Sequence, residues 1–167
     1  INLTAALRMA ARLDLHEGVD NHFSLMTSDK PFRFLLNPNR KHWSQLRASE
    51  LVEVDESGKP INDSEPPERT AFFIHSRIHR ACPQAKCILH THMRYATAVS
   101  MIEGGRLEPV VQSALKFFGQ IAYMDDFGGL ALDEDEGDRL ARALGEKRIL
   151  FLANHGVIVV GPSVAHA

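Results

Sequence analysis

Two short apolar runs, residues 148–152 and 157–160, stand on either side of Asn154-His155-Gly156. Both are short enough and apolar enough to read as buried strands. Helical spacing appears elsewhere, at residues 1–16 (Leu3, Leu7, Ala10, Ala11) and 69–80 (Phe72, Phe73, Ile74, Ile78). It recurs at 95–101, 113–118 and 133–144. Further strand patterns fall at 21–26 and 33–36, joined by a turn at Ser28-Asp29-Lys30-Pro31, and at 51–54 and 86–90. Gly104-Gly105 and Phe127-Gly128-Gly129 mark further turns. Helices and strands are intermixed, which argues for a layered α/β or α+β domain.

The chain has 167 residues, enough for one domain with a real core. A net charge of −2 and the lack of a basic stripe argue against nucleic acid as a partner. No apolar stretch approaches 18 residues, so no membrane partner is expected. Cys82 and Cys87 are too few for a disulfide framework and read as reduced, packed thiols of a cytoplasmic protein. The chain begins at Ile1 inside a helical pattern and stops just after Ser163, which resembles an N-cap. Residues 1–167 are therefore read as a single domain truncated at both ends.

Chemistry is concentrated in the nine histidines. His16, His42 and His166 read as surface or helix-end residues. His75 and His79 are four apart on one helix face, a spacing that can bind metal. They lack the adjacent glutamate of a metalloprotease motif, so packing or a hydrogen bond behind a site is the better reading. His90-Thr91-His92 ends the strand at 86–90, and residues two apart in a strand face one side. His155 ends another buried strand beside Gly156, where a missing side chain permits a tight turn. Three neutral imidazoles at about 2.0–2.1 Å would make an open site with room for water or substrate. The alternative is three satisfied core histidines. Zinc is the default ion, with manganese, iron, cobalt or nickel also compatible with imidazole. A metallo-hydrolase would want Asp and His after the pair, where Met93-Arg94-Tyr95 stands. A cupin would want a nearer glutamate than Glu103, and a metal-bearing barrel needs roughly 250 residues.

Three blocks carry a resemblance: GVDNHFS at 18–24, ACPQAKCILHTHMRYATAVS at 81–100 and LANHGVIVVGPS at 152–163, with DESGK at 55–59 between the first two. Together they resemble the class II aldolase/adducin family. The resemblance implies a three-layer α/β/α sandwich with a mostly antiparallel central sheet, assembled as a homotetramer with sites near subunit contacts. It implies that His90, His92 and His155 are the metal ligands. In the family's enzymes the metal stabilises an enediolate left by C–C cleavage of a ketose phosphate.

This chain departs from that pattern. The family's sugar-phosphate enzymes carry Pro-Ser-Ser-Glu before the long helix, and that tetrad falls here on Glu68-Arg69-Thr70-Ala71. The proton-moving glutamate is thus Ala71, with Glu68 one turn away as a weak substitute. A second phosphate loop reads Asn37-Pro38-Asn39-Arg40, while Asn21 is retained. Asn21, Asn39, Arg40, Arg69 and Thr70 are the candidate substrate-binding residues. Arg40 and Arg69 could hold a carboxylate in place of phosphate, or be solvated surface arginines. Two functions follow. One is a metal-dependent lyase acting on a small oxygenated substrate by aldol cleavage or decarboxylation. The other is a non-catalytic, adducin-like assembly module with a cytoskeletal or oligomerisation role.

Overall fold

A computed structural model describes residues 1–126, 128, 129 and 133–167; Phe127 of the expected turn lies outside the described residues. Among the described residues four helices, α1 (Asn2–Arg12), α2 (Arg69–Ala81), α3 (Arg94–Ser100) and α4 (Glu134–Leu144), accompany seven strands. The strands are β1 (His22–Asp29), β2 (Phe32–Leu36), β3 (Val52–Val54), β4 (Cys87–Thr91), β5 (Ile121–Met124), β6 (Ile149–Leu152) and β7 (Gly156–Gly161). They form one sheet in the order β3-β2-β1-β4-β7-β6-β5, antiparallel except between β5 and β6.

The sheet separates two apolar layers, which accounts for the expected α/β/α architecture. On one face, Ile74 and Ile78 of α2 and Leu140, Ala141 and Leu144 of α4 pack against Ile88, Leu150 and Ile158. On the other, Leu3, Leu7 and Ala10 of α1 join Trp43 and Leu46 over Phe23. Met93 and the α3 residues Ala96 and Val99 extend that layer over Phe151 and Val157. The all-apolar β6 is buried along its whole length, as a strand covered on both faces should be. Cys82 and Cys87 are free, buried thiols, with burial pushing the Cys87 thiol up to about 12.

Local chemistry sets the element ends. Helix α1 stops at Arg12 rather than running on to residue 16, because Asp14 turns left-handed at φ 56°. Helix α2 starts at the Glu68 cap after Pro66-Pro67 and ends before Pro83. Helix α4 opens on an Asp133 cap followed by three acidic residues, which suit the positive end of the helix dipole. The helical reading of 113–118 becomes a single 3-10 segment, Ala114–Phe117. Strand β5 follows it.

Candidate metal centre

Cross-strand register builds the site. In the β1–β4 pairing His22 lies opposite His90 and Ser24 opposite Ile88, so these four share a sheet face. That is the face covered by α2 and α4, because Ile88 belongs to their cluster. Beyond β4 the chain continues through His92. The turn from β6 to β7 then brings His155 back beside the pair.

Ligand-capable nitrogens of His90, His92 and His155 all lie within 4.8 Å of one another. The ring centroids are 4.7 to 5.0 Å apart. Among the described residues this is the one group of three or more such side chains. His90 Nδ1 donates to the Val157 carbonyl at 3.1 Å, and His92 Nδ1 lies 2.6 Å from the Glu17 carboxylate. Each Nδ1 is thus occupied, and the two Nε2 atoms face each other at 3.1 Å. Two imidazole lone pairs at that distance repel unless a cation or a proton stands between them. Two Nε2 atoms already turned toward a common point, with a third imidazole beside them, are what a divalent ion requires. The His90 and His155 rings also stay neutral, as ligands must: burial, then the neighbouring histidines, pushes His90 well below its ordinary range, and burial holds His155 at about 4.

Backbone geometry at the β6–β7 turn accounts for the Asn-His-Gly sequence. Asn154 takes the left-handed conformation, φ 57°, which Asn tolerates better than most residues. Gly156 serves close approach rather than the turn itself. A Cβ there would lie 2.5 Å from the Thr91 carbonyl oxygen and 3.0 Å from His92 Cδ2. Asn21 ties the loop before β1 to the centre, its Oδ1 accepting from Glu17 N at 2.7 Å and from His92 N at 3.4 Å.

The three histidines border a cavity of about 520 Å³. Asn21, Asn39 and Thr70 line it, as does Glu68. Arg40 and Arg69 do not. Both are exposed, Arg40 in a left-handed turn and Arg69 with its guanidinium 5.4 Å from the Phe73 ring centre. Ala71 borders the cavity but is only 2% exposed and packs with Phe34, Leu36 and Val54. Glu68 caps α2, accepting from the Ala71 N–H at 2.7 Å and from the Thr70 hydroxyl. Burial would raise its carboxyl, but the hydrogen bonds from Thr70 and Ala71 and the nearby His22 hold it below its ordinary value.

Several site residues were not singled out in the sequence. Glu136 and Arg139 of α4 line the cavity as a bidentate pair at 2.7 and 2.8 Å, although their i,i+3 spacing looks like a surface ion pair. Glu17 sits in a loop and carries no motif. His22 lies inside the 18–24 block, yet nothing in the sequence distinguishes it from a core histidine. His75 and His79 lie behind the centre as expected, fully buried and bonded to β1.

The family model for the class II aldolase and adducin N-terminal domain matches residues 1–167. Adducin-related protein 1 of Caenorhabditis elegans is 32% identical over 99% of this chain, which spans 22% of that protein. Decarboxylase NovR of Streptomyces niveus is 32% identical over 95% of the chain, which spans 59% of it. The crystal structure of an aldolase II superfamily protein from Pseudomonas syringae superposes with a TM-score of 0.92. It shares 36% identity over 99% of this chain and 67% of that one.

Proposed function

Because the chain belongs to the class II aldolase and adducin family, we propose that it is a metal-dependent lyase. Its substrate would be a small oxygenated molecule undergoing aldol cleavage or decarboxylation. The observation that carries this reading is the pair of convergent Nε2 atoms on His90 and His92, with His155 beside them. Zinc is the expected ion, with manganese, iron, cobalt or nickel as alternatives. Held there, a divalent ion supplies a Lewis acid that stabilises negative charge developing on a substrate oxygen. The chain's own groups do the rest. Glu17 fixes the tautomer and orientation of His92, and Val157 does the same for His90. With Ala71 in the glutamate position, the carboxylates that line the cavity among the described residues are Asp20, Glu68, Asp126 and Glu136. Glu136 faces the His155 side of the cavity, where its charge favours the protonated ring. Asn21, Asn39 and Thr70 offer hydrogen bonds to substrate oxygens.

A second copy of the chain is the expected partner, in a homotetramer. Tyr95, Met101, Ile102, Val110, Val111 and Phe118 are all more than half exposed, apolar side chains that a contact between copies would cover. Sedimentation of a monomer alone would contradict that assembly. No nucleic-acid or membrane partner is proposed: the net charge is −2, and no described helix is long and apolar enough to cross a membrane. A cytoplasmic setting suits the two free thiols.

The buried Ala71 favours a second reading, a non-catalytic assembly module with a cytoskeletal partner, since a general base is typically worth 10²–10⁴-fold in rate. A panel of ketose phosphates, aldols and β-keto acids separates the two. Turnover that disappears in His155→Ala supports the lyase. No turnover of any class with metal loaded supports the assembly module.

A further inference from the structure

Four side chains behind the metal centre form one hydrogen-bonded series. His22 Nδ1 lies 2.6 Å from His75 Nε2, and His75 Nδ1 meets Ser24 Oγ. Ser24 Oγ lies 2.8 Å from His79 Nε2, and His79 Nδ1 lies 2.6 Å from the Ala85 carbonyl oxygen. All four side chains are buried. None of the hydrogen bonds in the series involves a carboxylate, so a second proton on any of these buried rings would be an uncompensated buried charge, and each ring is neutral with a single proton.

The carbonyl at the far end sets the direction. It can only accept, so His79 carries its proton on Nδ1 and has a lone pair on Nε2. Ser24 must donate its hydroxyl proton to that lone pair. With this proton committed, the Ser24 oxygen accepts from His75 Nδ1–H. His75 Nε2 is then a lone pair and accepts from His22 Nδ1–H. Only one arrangement of protons satisfies every bond, and it strips the proton from His22 Nε2.

His22 borders the metal-centre cavity, and its ring lies against that of His90 with centroids 4.7 Å apart. We propose that the His79–Ser24–His75 relay fixes His22 as an acceptor-only residue at the cavity wall, and that the site therefore selects a substrate bearing a hydroxyl group beside the atoms that face His90. His22 reads the hydroxyl; Ser24, His75 and His79 are positioning residues that act through it. A ligand with an ether oxygen in the same place meets lone pair with lone pair and is rejected. The proton order rests on the fold alone, whereas the location of the ligand rests on the metal-centre reading above.

Two measurements test this separately. The first is long-range ¹H–¹⁵N correlation of the histidine rings in the full, unaltered chain at neutral pH with a chelator present. Ring signals are assigned through bonds to the backbone. Expected are a protonated Nδ1 and a bare Nε2 in His22, His75 and His79, the reverse of the form that free histidine favours. A proton on His22 Nε2 would overturn the relay. The second is titration of the zinc-loaded chain with glycolate and with methoxyacetate, which differ in the hydroxyl proton. About a tenfold preference for glycolate is expected, falling to within about twofold in His22→Phe, because the acceptor is then gone. An unchanged preference in His22→Phe would overturn hydroxyl selection. Failure to take up zinc would instead refute the metal-centre reading, and the ring measurement would still decide the relay.

Discussion

Lowering the pH from 7 to 5 should cost this domain a large part of its stability. The three relay histidines are neutral in the fold, with His22 at about 3, His79 at about 4 and His75 well below its ordinary range. In the unfolded chain each returns to about 6.5. Between that value and the folded ones the unfolded state therefore binds more protons. Stability is present above about pH 6.5 and falls with acidification until the folded values are reached. Each ring contributes up to about 1.4 kcal/mol per pH unit, hence roughly 2 kcal/mol between pH 7 and pH 5. Together the three amount to about 6 kcal/mol, against a total of about 5–15 kcal/mol for an ordinary domain. Urea unfolding followed by circular dichroism at pH 7, 6 and 5, with chelator present, measures this directly. A change below about 2 kcal/mol with constant m would refute the claim that these buried rings are held neutral.

Other perturbations probe single contacts. Glu17→Gln removes the carboxylate on His92 Nδ1 and should weaken zinc binding by about 10–100-fold in calorimetry, with little effect on folding. Gly156→Ala would drive a methyl group against the Thr91 carbonyl and His92; it should destabilise the domain by about 1–3 kcal/mol and weaken zinc binding at least about tenfold. Gly137→Ala, whose Cβ would sit 2.6 Å from the Phe73 carbonyl oxygen between α4 and α2, should cost about 1–3 kcal/mol in urea unfolding with zinc affinity unchanged.

What could be read from the sequence followed from local periodicity and from motifs. The Ile149–Leu152 and Gly156–Gly161 strands are visible because their burial leaves them wholly apolar around Asn154-His155-Gly156. His90 and His92 are visible because a strand places alternate residues on one side. Strand β5 (Ile121–Met124) was missed, being only four residues long with no turn residue of its own to announce it beyond Gly119. His22 could not be assigned because its partners come from register, which sets it opposite His90, and from the docking of α2, which brings His75 onto it. Neither is a local property. Arg40 and Arg69 were candidates by chain position, yet both are exposed and neither lines the cavity that Asn39 and Thr70 border. Glu136 failed to stand out for the opposite reason: the first turn of a helix is where acidic residues occur without any site.

The central claim is that His90, His92 and His155 converge in order to hold a divalent ion. It is tested most directly by the zinc content of protein purified without a histidine tag, exposed to excess zinc and desalted. The account predicts about one equivalent per chain in the unaltered protein and less than about a tenth in His92→Ala. Less than about a tenth in the unaltered chain, or the same content in both proteins, would contradict it.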